Sequence, residues 1–481
     1  MSTPATPAPD AARSHRLPSR HLPEAPYRDL PEPRRLRSML GPGVILAAAA
    51  LGSGEYIMWP LITSQFGLVL LWTALLSIAT QFYLHMEMER YTIATGETVL
   101  TGYSRMWKPL GPIIAIAVLA AHIWPGWATG SAVLLTYIFG GGNAPVIAVL
   151  GLIATGIALT LSPVVYKTVE KLQILMVAGL LVFMAVAMAV ATTASDWVAL
   201  AEGFGHAGRF PEGIELAMLL SAVVYAGGGA GDVALSNWVR DKGFGMGSYV
   251  PRVVSPFTGQ VEARASTGYL FPQDEANLRR WRGWWRVANT EHLITFAAIS
   301  TAAIISLSML SYATVFGRDL GADLDFVRAQ GEVLSTTIAP WFGLFFWAAG
   351  VLFLFSTTLG VLDIVGRTTA DTMKNTYLRD HGYWSESRIY AVLIWSMIVT
   401  GSAILLAGFD QPLGLLVVSA CIQAVVVTAN AALLIVLNRR VLPAAIRLRG
   451  YRLPIMVWAV LFFGAFTLIT LVTQVSGLLG G

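Results

Sequence analysis

Two short stretches of this 481-residue sequence combine residue types that could do chemistry inside an otherwise apolar setting. One reads Leu51-Gly52-Ser53-Gly54-Glu55-Tyr56, the other Tyr225-Ala226-Gly227-Gly228-Gly229-Ala230-Gly231-Asp232. Both contain glycine, a small residue, glycine and then an acid. Glycine is unfavourable in a helix and lets the backbone leave the helical path. Carbonyls and half-helix ends freed in this way can coordinate a cation. A carboxylate at bilayer depth is costly unless it faces a partner or a watery cavity. The spacing therefore predicts that Glu55 and Asp232 converge as metal ligands, with Gly52, Ser53 and Gly228 at the breaks. Tyr56 and Tyr225, one beside each break, would suit an organic cation through cation–π contact. Small residues also serve close helix packing, but here they are contiguous, paired and followed by acids.

The elements that must position these residues are membrane helices. The chain is 55% hydrophobic and 12% charged, with a mean hydropathy of +0.64, whereas soluble domains carry about a quarter charged residues. Apolar runs of span length recur, and backbone in hydrocarbon must satisfy its own hydrogen bonds, so the runs become helices. Eleven are expected, near 41–62, 67–92, 111–139, 144–161, 170–193, 214–239, 288–315, 336–364, 387–408, 412–437 and 454–477. The two Gly-rich breaks fall in the first and sixth, equivalent places if 41–193 and 214–437 are five-helix repeats of opposite orientation, with 454–477 an extra helix. Residues 1–38, rich in Pro and Arg, read as a disordered cytoplasmic tail ahead of a transporter domain at 39–481. With that tail inside, 29 of the 32 Lys and Arg residues fall in interior segments and only Arg209, Arg318 and Arg328 lie outside. The exterior segments are acidic, and the odd span count puts the C-terminus outside. A multi-pass protein of a cell membrane is the resulting expectation.

Other polar residues divide into candidates and anchors. His122, beside Trp124-Pro125-Gly126, could relay protons or simply bond a carbonyl freed by Pro125. Asp363 could form a gate ion pair with Arg367 one turn on. His85, Glu87, Glu89 and the pair Glu291-His292 read as interfacial. Tryptophans and arginines at 278–286 could stack on nucleic acid, but anchoring at the membrane surface explains them better, so no nucleic-acid partner is expected. No catalytic triad, phosphate loop or dinucleotide fingerprint stands in a plausible context, and Cys421 is the lone cysteine. An enzyme is not expected, and no cofactor is implied.

The chain resembles the Nramp family of metal-ion transporters, in particular its divergent Nramp-related branch. The resemblance is carried by Gly41-Pro42-Gly43, Gln65-Phe66-Gly67-Leu68, Leu70-Leu71-Trp72 and Ala94-Thr95-Gly96, and by weaker matches at Gly130-Ser131-Ala132 and Arg240-Asp241-Lys242-Gly243. It covers Gly41 to about Pro454 and implies an all-α, LeuT-type 5+5 inverted repeat with helices one and six broken. The family's Asp-Pro-Gly-Asn in helix one is replaced by Gly52-Ser53-Gly54-Glu55. Its helix-six methionine and histidine align with Gly228 and Ala230, and its helix-three acids with Trp124 and Trp127. Losing the thioether leaves oxygen donors, which suit hard cations such as Mg²⁺, and losing the acids removes the usual proton route. The resulting expectation is a secondary transporter of a small divalent cation with an altered site, embedded in the lipid bilayer. The alternatives are an organic cation or amino-acid-like solute on the same fold, and a non-transporting sensor.

Overall fold

The computed structural model describes residues 13–161, 165–250, 267–318, 320 and 323–479. Its regular elements are helices, and one isolated β-bridge joins Tyr27 to Leu270. Among the described residues ten helices are long and apolar enough to cross a membrane: Pro42–Phe66, Leu110–Phe139, Ala144–Leu161, Val169–Ala191, Leu216–Lys242, Glu275–Val315, Pro340–Thr376, Glu386–Leu406, Pro412–Arg440 and Arg452–Ile469. The eleventh expected rod, Leu71–Thr95, is 25 residues long but carries His85, Glu87, Glu89 and Arg90 in its second half, all buried. Counted in chain order with that rod as span two, these are spans one to eleven.

Burial sorts the spans. The apolar window is wholly buried in span one, 83% buried in span six and 78% in span eight, against 28% in span five and 33% in spans four and eleven. Spans one, six and eight form the centre, and the others turn apolar faces such as Leu150, Val182 and Leu468 outward.

The interruptions in spans one and six take different forms. Span one runs as α-helix over Pro42–Ala50, widens into π-helix over Leu51–Met58 and resumes as α-helix over Trp59–Phe66. None of its residues from Leu51 to Met58 has a positive φ, so the rod widens without turning aside. Span six stops being helical at Tyr225. Gly228 and Gly229 then take φ of +101° and +63°, values that disfavour any side chain, before a 3₁₀ turn at Gly229–Ala234 and a final helix at Leu235–Lys242.

The expected disordered tail needs correction over the residues described. From about Leu17 to Leu40 the N-terminal segment packs on the face that carries most of the basic residues, with Leu17, Leu22 and Leu30 buried. It pairs Arg28 N–H with Leu270 O at 2.8 Å and Leu270 N–H with Pro26 O at 3.0 Å, and Trp284 Nε1–H donates to Pro31 O at 2.8 Å. Pro-rich chain lacks helical periodicity, but extended backbone can still bury single leucines and pair with a loop. Residues 1–12 of the tail lie outside the described residues.

Candidate functional site

Glu55 lies in the π-helical stretch of span one and is fully buried. Neither carboxylate oxygen has a hydrogen-bond partner among the described residues, and the hydroxyl of Ser300 on span seven lies near it. The flanking glycines bring backbones together. A Cβ on Gly52 would lie 2.7 Å from Thr357 Oγ1 and 3.0 Å from Leu354 Cα of span eight, and the Gly52 N–H donates to Thr357 Oγ1 at 2.9 Å. A Cβ on Gly54 would lie 2.8 Å from Tyr225 O of span six. Close packing and a break in the α-helical ladder therefore coincide, and Glu55 sits where spans one, six, seven and eight meet. Ser53 bonds back to Ala50 O within its own span at 3.4 Å.

The two tyrosines make separate contacts. Tyr56 is packed by Phe346 and Phe353 of span eight and donates to Phe346 O, while Tyr225 donates to Leu416 O of span ten and meets Trp127 edge-on. Neither ring is paired with the other in an aromatic cage.

Freed backbone at the span-six break is satisfied by side-chain amides that sequence reasoning missed. Gln423 Oε1 accepts from Ala230 N–H at 3.0 Å, and its amide donates to Ser419 Oγ at 2.9 Å. Gln81 of span two lies against Gly227, whose N–H and C=O it reaches at 3.2 and 3.3 Å in its better-satisfied orientation. Ser77 Oγ donates to Val223 O at 2.6 Å. A buried glutamine in an apolar span is the signal that could have found them, because its amide must have a partner.

Asp232 is not brought to Glu55, and the expected shared metal pair needs correction. Its carboxylate turns back toward Gly228, whose would-be Cβ also meets Leu46. Glu55 lies nine residues beyond Leu46, roughly 13 Å along the span at a helical rise of 1.5 Å. Asp232 Oδ2 instead lies 2.9 Å from His85 Nε2, and His85 Nδ1 lies 2.9 Å from His292 Nε2. The histidines and glutamates read as interfacial are thus buried. A helix rotation that turns a polar stripe inward cannot be read from hydropathy alone.

Asp363 binds Arg367 at 2.9 and 3.1 Å, as expected, and also accepts from Trp238 Nε1 and Tyr390 Oη at 2.9 Å each. Arg367 continues to Asp241, which Arg240 meets at 3.1 Å, and Arg240 also pairs with Asp371 and approaches Glu386 at 3.5 Å. This buried chain of charges fastens the second half of span six to spans eight and nine. His122 Nδ1 bonds Val118 O at 2.8 Å and its ring stacks on Trp127. The carbonyl that Pro125 frees, Ala121 O, is taken by Ser419 Oγ at 2.6 Å. His122 Nε2 faces Gly231, with 3.7 Å to a Cβ built there.

At the opposite end a cleft of about 500 Å³ is lined by Leu61, Ser64 and Gln65 of span one, Glu215 and Met218 at span six, and Arg318. It opens six residues beyond Glu55, while the ion pairs and the N-terminal segment lie at the basic face.

No protein-family model matches this chain, and no curated protein matches it in sequence. Solved structures do match. The chain is similar to a point mutant of the manganese transporter of Eremococcus coleocola, with a TM-score of 0.69 at 14% identity over 95% of this chain and 91% of that one. It is similar to MhsT in complex with L-phenylalanine, at 0.55 and 13% over 89% and 97%. It is also similar to Mhp1, a nucleobase-cation-symport-1 family transporter closed with bromovinylhydantoin bound, at 0.52 and 14% over 91% and 93%. The fold is that of the LeuT-type transporters, an all-helical multi-pass membrane architecture.

Proposed function

We propose that this chain is a secondary active transporter of the Nramp-related type that moves a small divalent cation by alternating access around Glu55. The observation that carries this reading is a fully buried carboxylate without a hydrogen-bond partner, set in a π-helical stretch at the junction of four spans. An ionised carboxylate in that position calls for a cation. The side-chain donors beside it, the Ser300 and Thr357 hydroxyls, are oxygens, which favours a hard ion such as Mg²⁺. The likeness to a manganese transporter supports the same class of cargo. Gly52 and Gly54 draw neighbouring backbones against span one and leave no room for a bulky solute, which argues against the organic cargo carried by other proteins of this fold.

The cation enters from the cleft beside Leu61 and Gln65 and leaves past Asp232 when the Asp363–Arg367–Asp241–Arg240 chain parts. The basic face with the N-terminus is cytoplasmic, in accord with the distribution of Lys and Arg. Proteoliposome uptake of Mg²⁺ and Mn²⁺ tests the reading. Glu55→Gln should abolish uptake while the protein stays monodisperse, and unchanged uptake of each carried ion would overturn it.

A further inference from the structure

Beyond the transport site, the junction of spans two and seven holds a second set of convergent donors. Glu89, Glu291 and His292 are fully buried, and one ligand atom of each lies within 4.8 Å of the other two. Both oxygens of Glu89, Oε2 of Glu291 and Nδ1 of His292 have no hydrogen-bond partner among the described residues. Two ionised carboxylates facing each other without a protein donor between them should repel, and a buried charge needs a counter-charge.

We infer that Glu89, Glu291 and His292 form a binding site for a divalent transition-metal ion of the Zn²⁺ class, separate from Glu55. One imidazole and two carboxylates are a donor set that Zn²⁺ takes, with a fourth position left to water. His292 Nδ1 and Glu89 Oε1 stand 3.4 Å apart. Two ligands of a tetrahedral Zn²⁺ at about 2.0–2.1 Å are separated by about 3.3 Å.

The surroundings complete the case. Metal on Nδ1 fixes the proton of His292 on Nε2, which then donates to His85 Nδ1 at 2.9 Å, so His85 carries its own proton on Nε2, 2.9 Å from Asp232 Oδ2. A metal-bound histidine commonly hands its other N–H to an outer partner, here His85. Phe296 stacks on His292 and meets His85 edge-on, holding both rings. The second oxygen of Glu291, Oε1, accepts from Gly41 and Gly43 N–H at 3.1 and 3.2 Å. An ion here would tie the start of span one to spans two and seven, and reach Asp232 at the span-six break through His85.

The full chain in detergent, stripped with a chelator and titrated with Zn²⁺, tests this by calorimetry and by X-ray absorption at the zinc edge. One Zn²⁺ per chain is expected, with one imidazole nitrogen and the remaining ligands oxygen. Glu89→Gln and His292→Gln should each weaken binding by at least about tenfold, and His85→Gln by about 10–100-fold. Glu55→Gln should leave it intact while abolishing transport, so the two readings fail separately. Absence of bound Zn²⁺ in the wild-type chain, a zinc shell without imidazole, or binding lost in Glu55→Gln but kept in Glu89→Gln would overturn the site. The wild-type absorption spectrum decides the question even if a variant fails to fold.

Discussion

His85 on span two holds Asp232 of span six through Nε2 and Oδ2 at 2.9 Å, both side chains buried. The acid at the second break is therefore committed to a neighbouring span and not to the acid at the first. Truncation and isosteric replacement should separate the two contributions of that pair. Asp232→Ala removes the carboxylate that stands 2.9 Å from a buried imidazole nitrogen and should cost about 1–3 kcal/mol, whereas Asp232→Asn keeps an oxygen there and should cost less. Apparent melting temperatures of both variants, with His85→Gln as the second arm of a double-mutant cycle, check this. Additive effects of the two mutations would show that the pair is not coupled.

Gly228 combines a φ of +101° with a would-be Cβ 2.9 Å from Leu46 Cδ1. Gly228→Ala should destabilise the protein by about 1–2 kcal/mol or more, through the left-handed backbone alone. Gly205→Ala makes the control, since it lies in a helix and a Cβ there meets open space. A thermal shift equal in the two variants would contradict the role given to the break.

Arg367 neutralises Asp363 and Asp241 at once, and all three are fully buried. Arg367→Ala should cost about 3–5 kcal/mol by leaving buried carboxylates uncompensated. Arg367→Lys should not restore the loss, because a single ammonium cannot fork between two acids. Thermal unfolding in detergent compares the three proteins, and a Lys variant as stable as the parent would remove the need for a guanidinium.

Removal of residues 1–34 uncovers the surface that Leu17, Leu22 and Leu30 bury and deletes the pairing to Leu270 and Trp284. Hydrogen exchange should then speed up at residues 267–285 while the central spans keep their protection. Unchanged exchange in that segment would mean the N-terminal contacts contribute nothing to closing the basic face.

Asp274 caps the helix that leads into span seven, accepting from Asn277 N–H at 2.8 Å, and that bond holds its carboxyl below the usual range. A depressed folded value makes the stabilisation present above the unfolded value, about 3.9, and lost as pH falls through the folded one. Fraying of the first turn after Asp274, followed by hydrogen exchange, should therefore set in only below about pH 4. In Asp274→Ala the turn should already be frayed at neutral pH.

What was legible in the sequence rested on local physics. Apolar runs long enough to cross a bilayer marked the spans, because hydrocarbon forces each segment to satisfy its own backbone. Glycine clusters marked the breaks at 52–55 and 228–232, because the absence of Cβ is a property of the residue itself. Pairs such as Asp363 and Arg367 were legible because four residues make one helical turn.

Partners across spans left no such trace. Glu55 and Asp232 occupy matching places in the two repeats, yet one faces Ser300 and the other His85. Glu89 and His292 looked interfacial because polar residues near a span end usually reach water. Which way a helix face turns, and which neighbour meets it, is decided by packing among distant segments, as where Gly54 meets Tyr225 and Gly43 meets Thr295. The sequence by itself determined where the membrane helices run and where they weaken. The tertiary structure decided which buried carboxylates have partners and which, like Glu55, have no hydrogen-bond partner among the described residues.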